Sequence, residues 1–203
     1  MTGNAVRIRH FAKLNYGDPL SFLAGLRKFE YAVAASPTPD RIKTLRTNGL
    51  KSEREMRDAA LFCVGMSRNL ETDVWFAPVE EQDHDFVTTW RTGDTQHFCP
   101  VQLKEVVPQH LNPNASVQAV LDKLSHYADS SDVAVAIKFN QQGRFDPAAV
   151  VIPRDLAIGT LWVFGALSED QSEFGLWGDF LTTGSATVGI RYPYPSASLA
   201  VPR

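Results

Sequence analysis

The chain has 203 residues, of which 44% are hydrophobic, so it can form the buried core of one domain. Its longest apolar runs are much shorter than the stretch of about 20 residues that spans a membrane. Met1 to His10 is polar and basic and lacks the apolar segment of a signal peptide. Cys63 and Cys99 are expected to be free thiols in a reducing cytoplasm. We therefore expect a folded cytoplasmic protein without a membrane span.

The formal net charge of −3 is unevenly distributed along the chain. Residues 1–70 contain twelve Lys and Arg against six Asp and Glu, whereas residues 71–203 have a formal charge of −9. A basic first third could bind a phosphate backbone. Its charges could equally be solvated on helix surfaces, and the composition alone favours neither interpretation.

The first third of the chain is predicted to be helical. Residues 19–35 form an amphipathic pattern that begins with Asp18 as the N-cap. A short basic helix is predicted to follow and to end at Asn48-Gly49. Another helix is predicted from Ser52 to about Asn69, because Ser52 and Glu55 have the spacing of a capping box.

Two neighbouring strands are predicted between Asp83 and Val107, joined by a turn at Thr92–Gln96 whose glycine tolerates a positive φ. Because side chains alternate along a strand, Gln102 and Lys104 share one face, and Asp85 on the first strand can lie beside them. Polar residues on a hairpin are often only solvated. Here apolar neighbours predict a buried second strand, in which a lysine needs an anionic partner such as Asp85.

Asp85 followed by Gln102-Leu103-Lys104 resembles the PD-(D/E)xK nuclease superfamily in its (E/Q)xK variant, over roughly residues 50 to 140. The resemblance implies a restriction endonuclease-like α/β core, with a helix, about three antiparallel strands, a second helix and a further strand. We interpret residues 1–50 as an N-terminal helical extension, residues 51–192 as the nuclease-like α/β domain and residues 193–203 as an extended tail.

The same resemblance implies roles for individual residues. Asp85 and Gln102 would bind Mg²⁺ (or Mn²⁺), Lys104 would orient the attacking water, and an acidic residue of the preceding helix would complete the site. Glu55 is our choice for that residue, although its capping-box position explains it without any chemistry. Glu53 and Asp58 are the alternatives.

The function implied by the resemblance is Mg²⁺-dependent phosphodiester hydrolysis with DNA as the partner. Gln102 replaces the more usual acidic residue, which removes one negative charge and lowers the expected affinity for the metal. The alternative is a catalytically inactive module that binds nucleic acid or a protein, with Asp85 and Lys104 as a structural ion pair. The chain has no dinucleotide-binding, Walker, nucleophile-elbow or zinc-protease motif.

Helices and strands are also predicted in the rest of the chain. A helix capped by Asn112-Pro113-Asn114 is predicted to extend to about Asp129. Lys123 or Tyr127 on this helix could be an additional polar site residue, and the alternative is a surface ion pair or a tyrosine at the edge of the core. Strands are predicted at residues 133–137, 148–152, 160–167 and 187–191, although residues 160–167 could also form a helix. A helix capped by Ser168 is predicted between the last two strands. The apolar residues of that helix form either core or a homodimer face: Phe174, Leu176, Trp177 and Phe180.

Overall fold

A computed structural model of the chain describes residues 2–37, 51–79, 83–124, 130–182 and 188–195. The helices are α1 (Thr2–Phe11), α2 (Pro19–Ala34), α3 (Lys51–Leu70) and α4 (Val117–Leu124). The strands are β1 (Trp75–Pro78), β2 (Phe86–Thr92), β3 (Thr95–Val106), β4 (Ser130–Phe139), β5 (Ile158–Ala166), β6 (Glu173–Gly178) and β7 (Val188–Pro193). The fold is therefore α/β, as predicted.

The strands lie in one mixed sheet in the order β1 to β7. β1 is antiparallel to β2, β3 and β4 are parallel, β4 and β5 are parallel, and β5, β6 and β7 are antiparallel. A parallel pair requires a crossover connection, and the segment containing α4 provides it between β3 and β4. None of the helices in the described ranges has both the length and the apolar character needed to span a membrane.

The chain folds into two compact units. The first unit comprises residues 1–78, 86–98 and 194–203, and the second comprises residues 79–85 and 99–193. In the first unit, Phe22 of α2 contacts Phe76 of β1, and Phe62 of α3 contacts Phe86 of β2. Phe76 pairs with Thr88, which shares a face with Phe86, so both helices cover the same face of β1 and β2.

The core of the second unit lies between α4 and strands β3, β4 and β5. Ser116 caps the helix, because its Oγ accepts a hydrogen bond from the backbone N of Ala119 at 3.0 Å. The buried residues of this cluster are Val106, Val117, Leu121, Leu124, Val135, Ile137, Leu161 and Val163. The face of β3 that carries Val106 is thus the face on which α4 packs.

Several predicted elements are confirmed. The Asp18 carboxylate accepts hydrogen bonds from Leu20 N and Ser21 N at 3.1 Å, as expected for the N-cap of α2. Gly93 has a φ of 58° in the turn between β2 and β3. The predicted helix at residues 52–69 and the strands at residues 133–137, 160–167 and 187–191 correspond to α3, β4, β5 and β7. The predicted short basic helix lies outside the described residues.

Other predictions for the second unit are wrong. The helix expected after an Asn112-Pro113-Asn114 cap is present as α4, but it begins at Val117 and Ser116 caps it, whereas Asn112 Oδ1 accepts from Asn114 N in a local turn. Its expected end, including Tyr127, lies outside the described residues. The strand expected at residues 148–152 is replaced by a 3₁₀ turn over Pro147–Ala149, in which Asp146 accepts from Ala148 N.

The helix expected after Ser168 is a turn between β5 and β6. Ser168 Oγ accepts hydrogen bonds from Ser172 N and Glu173 N, so the residue closes a turn instead of starting a helix. Phe174 and Leu176 lie in β6 and are fully buried in the second unit. They are therefore core residues, and the homodimer stays a prediction.

We predict that Gly165→Ala destabilises the protein by about 1–3 kcal/mol. A Cβ atom at Gly165 would lie 2.6 Å from the carbonyl oxygen of Phe139, its partner on β4, so the paired strands would have to separate. Gly25→Ala in α2 is the matched control, because no atom lies within 4 Å of the added Cβ. The control should stabilise the helix by about 0.5–1 kcal/mol. Denaturant midpoints measure both, and equal midpoints for the two variants would contradict the prediction.

We also predict a stability change at alkaline pH that depends on Tyr16. Its hydroxyl donates a hydrogen bond to Phe11 O at 2.9 Å, and burial raises the pKa of Tyr16 from 10.0 to about 12. Since the folded state favours the neutral phenol, this contribution to stability is complete below pH 10 and is lost as the pH rises toward 12.

The test compares denaturant unfolding of the wild type and Tyr16→Phe at several alkaline pH values. The stability of Tyr16→Phe should decrease less between pH 10 and pH 12. Burial also raises the pKa of Tyr194, which contributes to the pH dependence of both proteins. The difference in the free energy of unfolding between the wild type and Tyr16→Phe therefore reports on Tyr16. Tyr31→Phe, at an exposed position, is the control. Identical pH profiles for the wild type and Tyr16→Phe would refute the assignment.

Candidate active site

Asp85 lies one residue before β2, within the second unit. Its backbone N donates to Val101 O at 2.9 Å, and its carbonyl oxygen accepts from Val79 N at 3.1 Å. These two bonds fix the main chain on both sides of the residue. Asp85 is half-buried, so its side chain has a defined environment and can still reach solvent.

The Asp85 carboxylate contacts the main chain of β3. Its Oδ2 accepts a hydrogen bond from the backbone N of Leu103 at 2.6 Å. Val101 O and Leu103 N point to the same edge of β3, because backbone groups alternate between the two edges of a strand. Since β2 begins only at Phe86, the carboxylate provides the acceptor that a longer β2 would otherwise supply. This hydrogen bond holds the charge of Asp85 beside Leu103, the residue between Gln102 and Lys104.

The β3–β4 register defines the side-chain directions of Gln102 and Lys104. Gln102 lies opposite Val135 and Lys104 lies opposite Ile137, so both side chains project to the face covered by α4. Each is half-buried. The structure therefore confirms that Gln102 and Lys104 share a face. The Asp85 carboxylate contacts the backbone of Leu103, which lies between these two residues. An ion pair between Asp85 and Lys104 stays a prediction.

A second polar group lies on the opposite face of the same strands. Glu105 is opposite Lys138 in the β3–β4 register, and Lys138 is only 7% exposed. Glu105 Oε1 accepts a hydrogen bond from Asn140 Nδ2 at 2.7 Å, which fixes the carboxylate at the end of both strands. A buried lysine requires a nearby negative charge, and its register partner Glu105 has one. In the sequence, the one feature that could have indicated this pair is Lys138, which follows the apolar run Val133–Ile137 of β4.

His84 was also not identified from the sequence. Its ring is fully buried, and its Nδ1 lies 2.8 Å from Asp83 Oδ1, while Asp83 is about half exposed. The contact becomes an ion pair only when the imidazole is protonated. Because His84 immediately precedes Asp85, the buried ring helps to fix the position from which the Asp85 side chain reaches β3.

Glu55 lies on α3, in the first unit. Its Oε1 is 3.4 Å from Lys51 Nζ, and both side chains are well exposed, which is the geometry of an ordinary surface pair one helical turn apart. Ser52 lies within the described part of α3, Lys51–Leu70. Glu53 is exposed and Asp58 is buried. The metal-binding role of Glu55 and of these alternatives stays a prediction.

The side chains of Asp85 and Gln102 offer carboxylate and amide oxygens to a cation. Among the residues that the structure describes, no group of three or more His, Cys, Asp or Glu is arranged to bind a metal. A carboxylate and an amide oxygen suit Mg²⁺, which keeps several water ligands and often gains the rest from substrate phosphates. An ion held by Asp85 and Gln102 would take its other ligands from water and substrate, and Mg²⁺ binding stays a prediction.

Comparison with protein families, curated proteins and solved structures found no match to this chain. The function has to be inferred from the geometry of its residues.

We predict that Asp85→Ala lowers the stability of the protein by about 1–3 kcal/mol, because the partly buried Leu103 N–H loses its acceptor. Asp85→Asn keeps an oxygen at the same position and should lose less. Amide hydrogen exchange at Leu103 reports the contact directly: protection should fall in Asp85→Ala and remain in Asp85→Asn. Unchanged protection in both variants would show that Asp85 does not bond to Leu103.

Proposed function

We propose that the protein is a Mg²⁺-dependent nuclease that hydrolyses phosphodiester bonds in DNA, with Asp85, Gln102 and Lys104 at its active site. The observation that supports this proposal is the 2.6 Å contact between Asp85 Oδ2 and Leu103 N. It holds a carboxylate against the middle residue of the Gln-x-Lys segment, although 17 positions separate Asp85 from Gln102 in the sequence.

The order of elements around these residues also supports the proposal. The chain runs α3, β1, β2, β3, α4 and β4, with β1 antiparallel to β2 and β4 parallel to β3. This is the order that the resemblance to PD-(D/E)xK nucleases implies. Asp85 precedes the second strand of the series and Gln102 and Lys104 lie on the third.

Each residue has a chemical role in the proposed reaction. A bound Mg²⁺ would act as a Lewis acid on the phosphate and lower the pKa of a coordinated water. The remaining oxygen of Asp85, Oδ1, and the side-chain oxygen of Gln102 would hold the ion. The ammonium group of Lys104 would orient the attacking water and offset the negative charge that develops on the phosphate.

We expect purified protein to cleave DNA with Mg²⁺ or Mn²⁺, and Asp85→Asn and Lys104→Ala to lower the rate by about 10²-fold or more. Lys28→Ala removes an exposed lysine of α2 and is the matched control, which should retain activity. Gln102→Glu restores a negative ligand, so half-maximal activity should require less Mg²⁺ than in the wild type. Gel assays on duplex, branched and single-stranded DNA and on RNA measure all four.

The second candidate is a module without catalytic activity that binds nucleic acid or a protein partner. The observation that favours it is the same hydrogen bond, because an Asp85 carboxylate satisfied by Leu103 N already has a structural role. Calorimetric titration with Mn²⁺ separates the two candidates. An enzyme should bind the ion, and Asp85→Asn should abolish binding. Absence of both metal binding and cleavage on every substrate would favour the second candidate.

A further inference from the structure

The N-terminal helix carries a local positive charge that the net charge of the chain conceals. Residues 1–17 contain Arg7, Arg9 and Lys13 and no acidic residue. Arg9, His10 and Lys13 are exposed, and Arg9 and Lys13 are four residues apart, so they lie on the same side of α1 and its terminal turn. Exposed basic side chains in a segment without acidic residues are suited to contact the phosphates of a nucleic acid.

This helix is fixed to the hairpin formed by β2 and β3. Phe11 is 3% exposed, and its ring centroid lies 6.4 Å from that of Phe98 on β3. Tyr16 contacts the same ring at 6.1 Å and donates a hydrogen bond to Phe11 O. All of these residues belong to the first unit. The basic side chains of α1 therefore have a defined position relative to the strand that carries Phe98.

The hairpin tip, residues 90–97, projects beyond its neighbouring strands. β1 pairs with β2 only as far as Thr89, and β4 pairs with β3 only from Val101, so within the described ranges no strand lies beside the tip. Thr72 Oγ1 donates a hydrogen bond to Arg91 O at the base of the tip, at 3.3 Å. The Trp90 and His97 rings stack at 5.1 Å across the two strands.

The tip has the width and the chemistry of a groove-binding element. A two-stranded ribbon fits the major groove of B-DNA, which is about 12 Å wide. Residues 91–96 are all exposed and none is apolar: Arg91, Thr92, Gly93, Asp94, Thr95 and Gln96. A ribbon with this composition can hydrogen bond to base edges and phosphates, whereas it has no side chain suited to the interior of a bilayer.

We propose that α1 and the hairpin tip together form a duplex-DNA-binding surface, with Arg9 and Lys13 at phosphates and the tip in the groove. The choice of DNA as the partner rests on the proposed function. Asp85, Gln102 and Lys104 are not among the residues of this surface, so different variants can test binding and cleavage independently. Exposed Val6 and Ile8 would also suit an anionic membrane surface, and vesicles are therefore included in the test.

The test measures duplex binding by fluorescence anisotropy over a range of salt concentrations, without Mg²⁺ and in the Asp85→Asn background, so that no cleavage interferes. Arg9→Gln/Lys13→Gln removes two charges from α1. Arg144→Gln/Arg154→Gln removes two exposed charges from the second unit and is the matched control. The α1 pair should lower the salt slope of log K by about 2 and weaken binding roughly tenfold at moderate salt, while the control should keep the slope.

The hairpin tip is tested through Trp90. Trp90→Ala should weaken binding severalfold, because the tip loses the stacking of Trp90 on His97 that defines its shape. The salt slope should not change, because no charge is removed. Trp90→Phe keeps an aromatic ring opposite His97 and should restore most of the affinity. Circular dichroism confirms that both variants are folded. If the Ala variant unfolds, Arg91→Gln still reports on the tip, because it removes an exposed charge there, and unchanged affinity in that variant would overturn the role of the tip.

Three results would overturn the proposal: equal slopes for the two charge pairs, no measurable duplex binding, or binding to phosphatidylserine vesicles but not to DNA. These results differ from failure of the nuclease proposal. Duplex binding that depends on α1 without any cleavage would refute the enzyme and leave the surface. Cleavage that is insensitive to Arg9→Gln/Lys13→Gln would support the enzyme and refute the DNA-binding role of α1.

Discussion

The hydrogen bond from Leu103 N to the Asp85 carboxylate is the contact on which the proposed site depends. β3 is twelve residues long, and β4 accompanies only its second half, from Val101 to Val106. Within the described ranges, no strand pairs with the edge of β3 that faces β2 near Leu103, because β2 begins at Phe86. A partly buried N–H in that position needs an acceptor, and a carboxylate makes a stronger bond than a neutral group. A structural requirement thus places a negative charge at this point.

That requirement also explains why structural and catalytic interpretations of Asp85 are compatible. A carboxylate has two oxygens and about four lone-pair directions, so a bond from Leu103 to Oδ2 does not exhaust its capacity. The bond restricts the side chain to one orientation, and a fixed ligand loses less conformational entropy when it binds a cation. Structural anchoring therefore lowers the cost of ligand binding, and does not oppose it.

Polar residues on both faces mark the carboxyl end of β3. Gln102 and Lys104 lie on the face of the α4 cluster, and Glu105 lies on the other face, opposite buried Lys138. Both groups lie toward the carboxyl ends of the parallel strands β3 and β4, where ligand sites of open α/β sheets are found. Buried or half-buried lysines are costly unless each has a polar or charged partner. Glu105 provides a negative charge opposite Lys138, and a catalytic role for Lys104 stays a proposal.

The sequence was sufficient for features that depend on local periodicity. Strand alternation predicted that Gln102 and Lys104 share a face, and the N-cap and turn residues Asp18 and Gly93 were identified by type. The contact of Asp85 with Leu103 and the pairing of Glu105 with Lys138 could not be predicted, because both depend on strand register. Ser168 was misassigned for another reason: a hydroxyl that accepts backbone N–H bonds can start a helix or close a turn with equally good geometry.

The net charge of the chain is also a poor guide to binding, because a bound phosphate interacts mainly with the charges close to it. The net charge of −3 would argue against binding a polyanion if charges acted uniformly over the protein. At physiological ionic strength, exposed charges are screened beyond about 8 Å, so a phosphate near α1 interacts mainly with the side chains closest to it. Arg9 and Lys13 are two such exposed side chains, in a segment without acidic residues. A protein that is acidic overall can therefore bind DNA through one helix, since screening isolates that helix from distant carboxylates.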